Sequence, residues 1–228
     1  MEEPRVVYED KNFLAVHKPA GLLTHPIRIR TASFKEPALT DWLIARYPEI
    51  REVGDSPEWR PGIVHRLDRA TSGVILVPRT QKYFEYLKAL FQKGEIKKTY
   101  LALVFGDLHG KSGEIKKAIG LGKGVKRSVR SEKMVKEAVT CYEVVKFKKI
   151  QGEIFTLLKV MPQTGRTHQI RVHLAYIHHP VVGDVLYGPR RGPQWSTRLM
   201  LHALSLEFTL EDGKRMHLED DPPPELSL

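Results

Sequence analysis

Arg60-Pro61-Gly62-Ile63-Val64-His65-Arg66-Leu67-Asp68-Arg69-Ala70-Thr71-Ser72-Gly73-Val74-Ile75-Leu76-Val77 is the stretch whose reading decides the fold. It has apolar ends and a polar middle. Ile63-Val64 and Val74 to Val77 are rich in β-branched residues and are predicted as short buried strands. Strands fix the ends of the loop between them, so that loop can present a side chain in a defined position. It holds one carboxylate, Asp68, between two cations, Arg66 and Arg69, with His65 before them and Thr71, Ser72 and Gly73 after. An ionised, positioned carboxylate serves as a nucleophile or a base. The same residue types also close turns, because Asp and Ser bond their own backbone. The stretch by itself leaves both readings open.

Outward from this stretch, residues 5–8 and 13–17 read as two strands with a turn at 9–12. Lys18-Pro19-Ala20-Gly21 ends the second strand, and residues 22–33 form a loop carrying His25, Arg28 and Arg30. Leu39, Trp42, Leu43 and Tyr47 recur at helical spacing and predict a helix over 38–47, which Pro48 ends; 48–60 reads as a surface loop. A second helix over 80–93 has Tyr83, Phe84, Leu87, Leu90 and Phe91 on its apolar face and stops at Gly94. Residues 97–104 read as a strand, and 110–133, rich in Gly, Lys, Arg and Ser, as a hairpin with a mobile basic tip. Paired strands follow at 137–147 and 153–160.

Near the C-terminal side, Thr164-Gly165 is a turn and Thr167 an N-cap. Ile170, Leu174 and Ile177 mark one face of a third helix, with Arg171 on its flank. Residues 201–210 alternate as a half-buried strand, 216–218 form a last one, and a proline-rich tail from 220 frays. Strands outnumber helices and the hairpins are short. The expected fold class is therefore α+β, a mostly antiparallel mixed β-sheet core flanked by helices and loops, in one domain over 1–228.

Composition narrows the function classes. Across 228 residues, 37 Lys and Arg outnumber 27 Asp and Glu, and the formal charge of +10 favours a polyanionic partner. The single cysteine, Cys141, excludes an internal disulfide and fits a reducing cytoplasm. No apolar run approaches the roughly 18 residues of a membrane span, and the opening Met-Glu-Glu-Pro carries no signal-peptide pattern. The histidines invite a metal reading. His168 and His173 are five residues apart, not at the helical spacing of a zinc pair, and no HExxH occurs, so no metal is expected. Nor is there a dinucleotide loop or a phosphate-binding Lys motif.

Four stretches taken together resemble the RluA-like branch of the RNA pseudouridine synthases. Residues 65–73 resemble the signature loop with the catalytic aspartate, and Lys18-Pro19-Ala20-Gly21-Leu22 with His25-Pro26 the N-terminal motif. Lys98-Thr99-Tyr100-Leu101-Ala102-Leu103-Val104 resembles the strand with the active-site tyrosine, and residues 164–173 the arginine motif. The order matches from Val6 to Phe208. Ala70 stands where a family member often has Asp, and the chain begins almost at the catalytic domain, with no room for a small N-terminal RNA-binding domain.

The resemblance implies the pseudouridine synthase fold and isomerisation of uridine in ribosomal or transfer RNA, with no cofactor. The partner would be RNA and not DNA or membrane, and the protein a cytoplasmic monomer. Asp68 would be the essential carboxylate, Arg171 would pair with it, and Tyr100 would stack on the base. The target nucleotide must leave its stack, at a cost of a few kcal/mol. Arg66 would fill the space left behind. His65, Leu67, Arg166 and Ile170 would contact the substrate, and Arg69, Lys123, Lys126 and Arg127 the RNA backbone.

Two other classes compete. A non-catalytic RNA-binding protein on the same scaffold needs basic residues and no carboxylate facing RNA. A glycosidic-bond hydrolase usually places two carboxylates across the bond, and the loop holds one.

Overall fold

The computed structural model describes residues 2–26, 36–124 and 126–227, so Arg28 and Arg30 lie outside the described residues. In chain order the strands are β1 (Arg5–Glu9), β2 (Phe13–Lys18), β3 (Ser72–Pro78), β4 (Lys97–Phe105), β5 (Ser112–Lys116), β6 (Gly120–Leu121), β7 (Arg127–Ser128), β8 (Val139–Ile150), β9 (Glu153–Pro162), β10 (Leu201–Thr209) and β11 (Arg215–Glu219). The helices are α1 (Leu39–Arg46), α2 (Gln81–Lys93) and α3 (Gln169–Tyr176). The architecture is α+β, and the pairs β1–β2, β2–β3, β4–β9, β5–β8, β6–β7, β8–β9 and β10–β11 run antiparallel. The chain forms two compact units, 1–96 with 205–220, and 97–204 with 221–228. Among the described residues no helix is long and apolar enough to cross a membrane.

In the first unit, β2 and β3 are buried on both faces. Their period-2 alternation sorts the side chains. Phe13, Ala15, Val74 and Leu76 pack with Tyr83, Leu87 and Leu90 of α2. Leu14, Val16, Ile75 and Val77 pack with Leu39 and Leu43 of α1 and with Ile50. Ile50 lies in a short 3₁₀ turn, Pro48–Glu52, so the stretch expected to be a surface loop carries a core anchor. Thr80 caps α2 by accepting the N–H of Tyr83, a bond worth about 1 kcal/mol, and Gly94 closes it in the left-handed region at φ 74°. Antiparallel pairing sets Lys18 opposite Gly73. The end of β2 and the start of β3 therefore lie side by side, and the N-terminal motif and the signature loop meet at one end of this strand pair.

Ile63-Val64 is not a strand. Pro61 has no N–H, and Gly62 sits at φ 67°, where an added Cβ would run into the Ile50 side chain. Ile63 is buried all the same. At the other end, the residues expected to fray are tied down. Asp220 is fully buried, hydrogen-bonded to Arg5 and to Nδ1 of His17.

The second unit orders its strands β4-β9-β8-β5. The β8–β9 turn contracts to Gln151-Gly152, both at positive φ (51° and 87°), the geometry of a tight hairpin turn. The basic segment splits. β5 pairs with β8, and only β6 and β7 form a small hairpin of two residue pairs. That hairpin is tied back by the N–H of Leu121 bonding the Lys133 carbonyl, and by Ile119 pairing with Lys136. Strand β10 is buried nearly throughout and not half-buried. Leu226, in the last turn of the chain, is fully buried as well.

Helix α3 starts one residue later than Thr167 would set it. His168 is the N-cap, at φ 57°, and its side chain makes no cap bond. Gln169 instead pins the segment before the helix to β8: its Oε1 accepts from the Arg166 N–H and the Thr164 hydroxyl, and its Nε2 donates to the Val139 carbonyl and Thr140 Oγ1. Six of the eight residues of α3 are buried, Arg171 among them.

His173, on the same helix, is fully buried. Its Nε2 donates to the Lys117 carbonyl at 2.8 Å and its Nδ1 accepts the Thr140 hydroxyl at 2.9 Å. Burial pulls its pKa below 6.5, outweighing the carbonyl bond. The native state thus binds a proton less readily than the unfolded chain. The stability it contributes is complete above 6.5 and is lost as pH falls through the lower native value. Thermal melts at stepped pH should show stability falling below neutrality. His173→Gln, which keeps a donor and an acceptor but cannot be protonated, should flatten that slope. An equal slope in the variant would assign the effect elsewhere.

Candidate active site

In the first unit the signature loop and the N-terminal motif are one substructure, joined mainly through backbone. The Thr24 hydroxyl donates to the Leu67 carbonyl at 2.9 Å, and the Gly21 N–H to the Arg69 carbonyl at 2.8 Å. Arg69 Nε returns a bond to the Gly21 carbonyl at 3.0 Å, and its guanidinium pairs with Glu36. Lys18, fully buried, spends its three protons on the carbonyls of Pro19 (2.9 Å), Leu22 (2.9 Å) and Arg69 (3.2 Å). A lysine is buried at this depth only when each donor is satisfied.

Between these fastenings Asp68 is half-buried, its carbonyl closing a turn with the Thr71 N–H at 3.1 Å, while Arg66 and Arg69 are exposed and Leu67 is buried. Arg66 Nη1 donates to His25 Nε2 at 3.2 Å. Burial lowers the His25 pKa, which keeps that nitrogen an acceptor. His65 is drawn inward: its Nε2 accepts the Leu76 N–H at 2.8 Å and its ring lies 4.5 Å from that of Phe91. The imidazole thus satisfies a backbone donor of β3.

Lys18→Met keeps the stem and deletes the donors. The Pro19 and Leu22 carbonyls then lose their bonds from Lys18, while Arg69 keeps Gly21. Chemical denaturation should show a loss of about 2–4 kcal/mol. A variant as stable as the intact protein would mean the ammonium fastens nothing.

In the second unit Arg171 and Asp184 form a buried fork. Arg171 Nε reaches Asp184 Oδ2 at 2.7 Å and Nη2 reaches Oδ1 at 2.8 Å, with the side chains 5% and 0% exposed. Asp184 Oδ1 also accepts the N–H groups of Leu186 (2.9 Å) and Tyr187 (3.1 Å). Burial alone would raise the Asp184 pKa; the Arg171 bond and charge, with the two backbone N–H groups, reverse this and hold it below 3.8. Gly183 precedes it at φ 76°, where a Cβ would strike the Arg198 carbonyl. The buried position of Arg171 corrects the expectation of a helix flank, and its acidic partner Asp184 has no counterpart in the sequence reading. Its signal was there: an Asp after a Gly, in a loop that must turn sharply.

Tyr100 lies on β4, half-exposed, in register with Val160 of β9. Lys98 is half-buried on the same face of the strand, and burial lowers its pKa. Ile170 is buried on α3. Arg166 is exposed and donates to the Glu137 carbonyl at 3.0 Å. Lys123 and Lys126 are exposed and Arg127 half-exposed at the β6–β7 tip. Among the described residues no three His, Cys, Asp or Glu gather as a metal would need.

Comparison with known proteins adds a family. Residues 12–176 match the family model described as RNA pseudouridylate synthase. A Borreliella burgdorferi protein named ribosomal large subunit pseudouridine synthase D is 32% identical over 204 residues, 89% of this chain and 60% of that one. The Vibrio cholerae protein of the same name is 35% identical over 89% of this chain and 62% of its own length. This chain thus spans about three-fifths of these relatives. Among solved structures, human RNA pseudouridylate synthase domain containing 1 superposes with a TM-score of 0.79 at 27% identity, covering 99% of this chain and 87% of that one.

Proposed function

The chain belongs to the RNA pseudouridylate synthase family, and from that premise we propose that it isomerises uridine to pseudouridine in large-subunit ribosomal RNA. The bond from C1′ to N1 breaks, the uracil turns, and C5 bonds C1′. The C5 proton leaves and N1 gains one, so nothing is consumed. Asp68 is the catalytic carboxylate, acting as nucleophile or as base. Tyr100 serves the flipped base, and Arg171 serves the carboxylate. Arg66, His65, Leu67, Arg166 and Ile170 shape the substrate site. Arg69, Lys123, Lys126 and Arg127 meet phosphates. These roles follow from the family motifs residue by residue. We assign residues 1–228 to one catalytic domain, in a cytoplasmic monomer.

The observation that carries this reading is the backbone fastening of the signature loop to the N-terminal motif, which leaves Asp68 half-buried between two exposed arginines. A catalytic carboxylate needs a rigid loop reachable by a flipped nucleotide. The ribosomal substrate is taken from the names of the relatives.

The test is pseudouridine mapping of ribosomal and transfer RNA from a strain lacking the gene, with and without the intact protein restored. Loss of one or a few sites in large-subunit RNA, regained with the protein, is the expected outcome. An unchanged map, together with no product from purified protein on isolated RNAs, removes the reading and leaves an RNA-binding module.

A further inference from the structure

One aromatic side chain joins the basic hairpin to Arg171. The Tyr187 hydroxyl accepts the backbone N–H of Arg127 on β7 at 2.7 Å, and stands 2.9 Å from Nδ1 of His168, the residue that starts α3. Its ring centroid lies 5.3 Å from Cζ of Arg171. Its own N–H is bonded to Asp184, the carboxylate that holds that guanidinium. With Val129 it packs on Ile119, Ala138 and Val172. It also forms part of the wall of an open concavity of about 800 Å³, lined by Lys123, Lys126, Arg127, Arg130 and Lys133. The cations of the hairpin and the buried arginine of α3 thus share one neighbour.

The atoms in these bonds set what the arrangement does. A backbone N–H does not swing as a side chain does, so the Arg127–Tyr187 bond fixes the hairpin itself relative to α3. Phosphate contacts give register on RNA and carry no sequence. Register is useful only if the phosphate-holding element stands at a constant separation from the reacting residues.

We infer that Tyr187 is a positioning residue that sets the spacing between the RNA phosphates held by the hairpin and Arg171, the arginine assigned above to the catalytic carboxylate. The inference rests on the function proposed above. The concavity takes the sugar–phosphate backbone a fixed distance along the RNA from the target, and the hydroxyl of Tyr187 keeps that distance constant.

Tyr187→Phe keeps the ring against Arg171 and deletes the hydroxyl. Tyr187→Leu removes both contacts. Arg127→Pro breaks the same bond from the hairpin side, with Arg127→Ala as its partner that loses only the charge. Lys126→Ala removes one hairpin cation and leaves Tyr187 alone. The probe is ribosomal RNA isolated from the strain lacking the gene. The readouts are the salt dependence of binding, steady-state kinetics and pseudouridine mapping.

For Tyr187→Phe, KM should rise about tenfold and kcat fall about twofold. The salt slope should flatten by about one phosphate contact, as for Lys126→Ala. New pseudouridines should appear at uridines adjoining the normal site. Tyr187→Leu should lower kcat further, by about another tenfold, because Arg171 loses its ring. Arg127→Pro should spread the sites as Tyr187→Phe does, and Arg127→Ala should not. A purely structural tyrosine lowers the folded fraction and moves neither slope nor sites. Tyr187→Phe that is folded by thermal melt, with the intact protein's slope and site distribution, overturns the inference. If the intact protein forms no pseudouridine on any RNA, the proposed function falls. The salt slope then decides alone: flattened in Tyr187→Phe, the register role of the hairpin stands; unchanged, it fails.

Discussion

Asp68→Asn binds ribosomal RNA within about twofold of the intact protein and forms pseudouridine at least about 10³-fold more slowly. Such a loss is about 4 kcal/mol of transition-state stabilisation, the scale expected when the group that forms or breaks a bond is removed. The fold should tolerate the change. The fastenings of the loop run through the carbonyls of Leu67, Asp68 and Arg69 and the N–H groups of Gly21 and Thr71, atoms the substitution leaves in place. Asparagine has nearly the same shape and loses only the charge and the nucleophilic or basic oxygen. Single-turnover assays with radiolabelled RNA, beside a filter-binding titration, separate the two quantities. Turnover within about tenfold of the intact protein would remove Asp68 from the chemistry. Loss of binding in step with turnover would make it a structural carboxylate. Release of free uracil by the intact protein would point to hydrolysis instead.

Asp184→Ala is the second large effect, and it acts on stability before it acts on rate. Asp184 accepts four hydrogen bonds, two from the Arg171 guanidinium and two from backbone N–H groups, at zero side-chain exposure. Truncating it leaves a buried guanidinium stripped of this partner, and costs about 3–5 kcal/mol. Urea denaturation should show that loss. Removing both partners in a double Asp184→Ala, Arg171→Met variant should recover part of it, since a buried pair replaced by apolar groups is tolerated better than a broken one. The native Asp184 pKa lies below 3.8, so its stabilisation is complete above 3.8 and is lost as pH falls through the native value. Asp184→Ala should therefore remove part of the steep acid limb of the intact protein. A loss below about 1 kcal/mol would show the fork to be dispensable.

Much of this was legible in the sequence because burial on two faces writes a strong pattern. Phe13 to His17 read as a strand, Val74 to Val77 as a buried one, and α2 as a helix with an apolar face, because helices cover both faces of one strand pair. Ile63-Val64 misled for a definite reason. An apolar pair beside a glycine carries no period, and burial of Ile63 is achieved by a turn. Arg171 was placed on a flank because helical spacing alone has no means of showing a carboxylate thirteen residues away. Asp184 and Tyr187 went unread since their partners come from other segments of the chain. His65 was read as a substrate contact from its place in the motif, and its bond to Leu76 depends on the backbone path of the loop. The N-terminal motif and the signature loop that carries Asp68 were both visible, but their union through Lys18 needed the pairing of β2 with β3.

Lys18 also makes the signature loop observable from outside. Its amine, fully enclosed with three carbonyl acceptors, offers no lone pair to an acylating reagent while the loop is closed. Exposed lysines such as Lys123 and Lys126 should react first. Slow labelling at this one nitrogen, read by peptide mass, would therefore report any opening of the loop that carries Asp68.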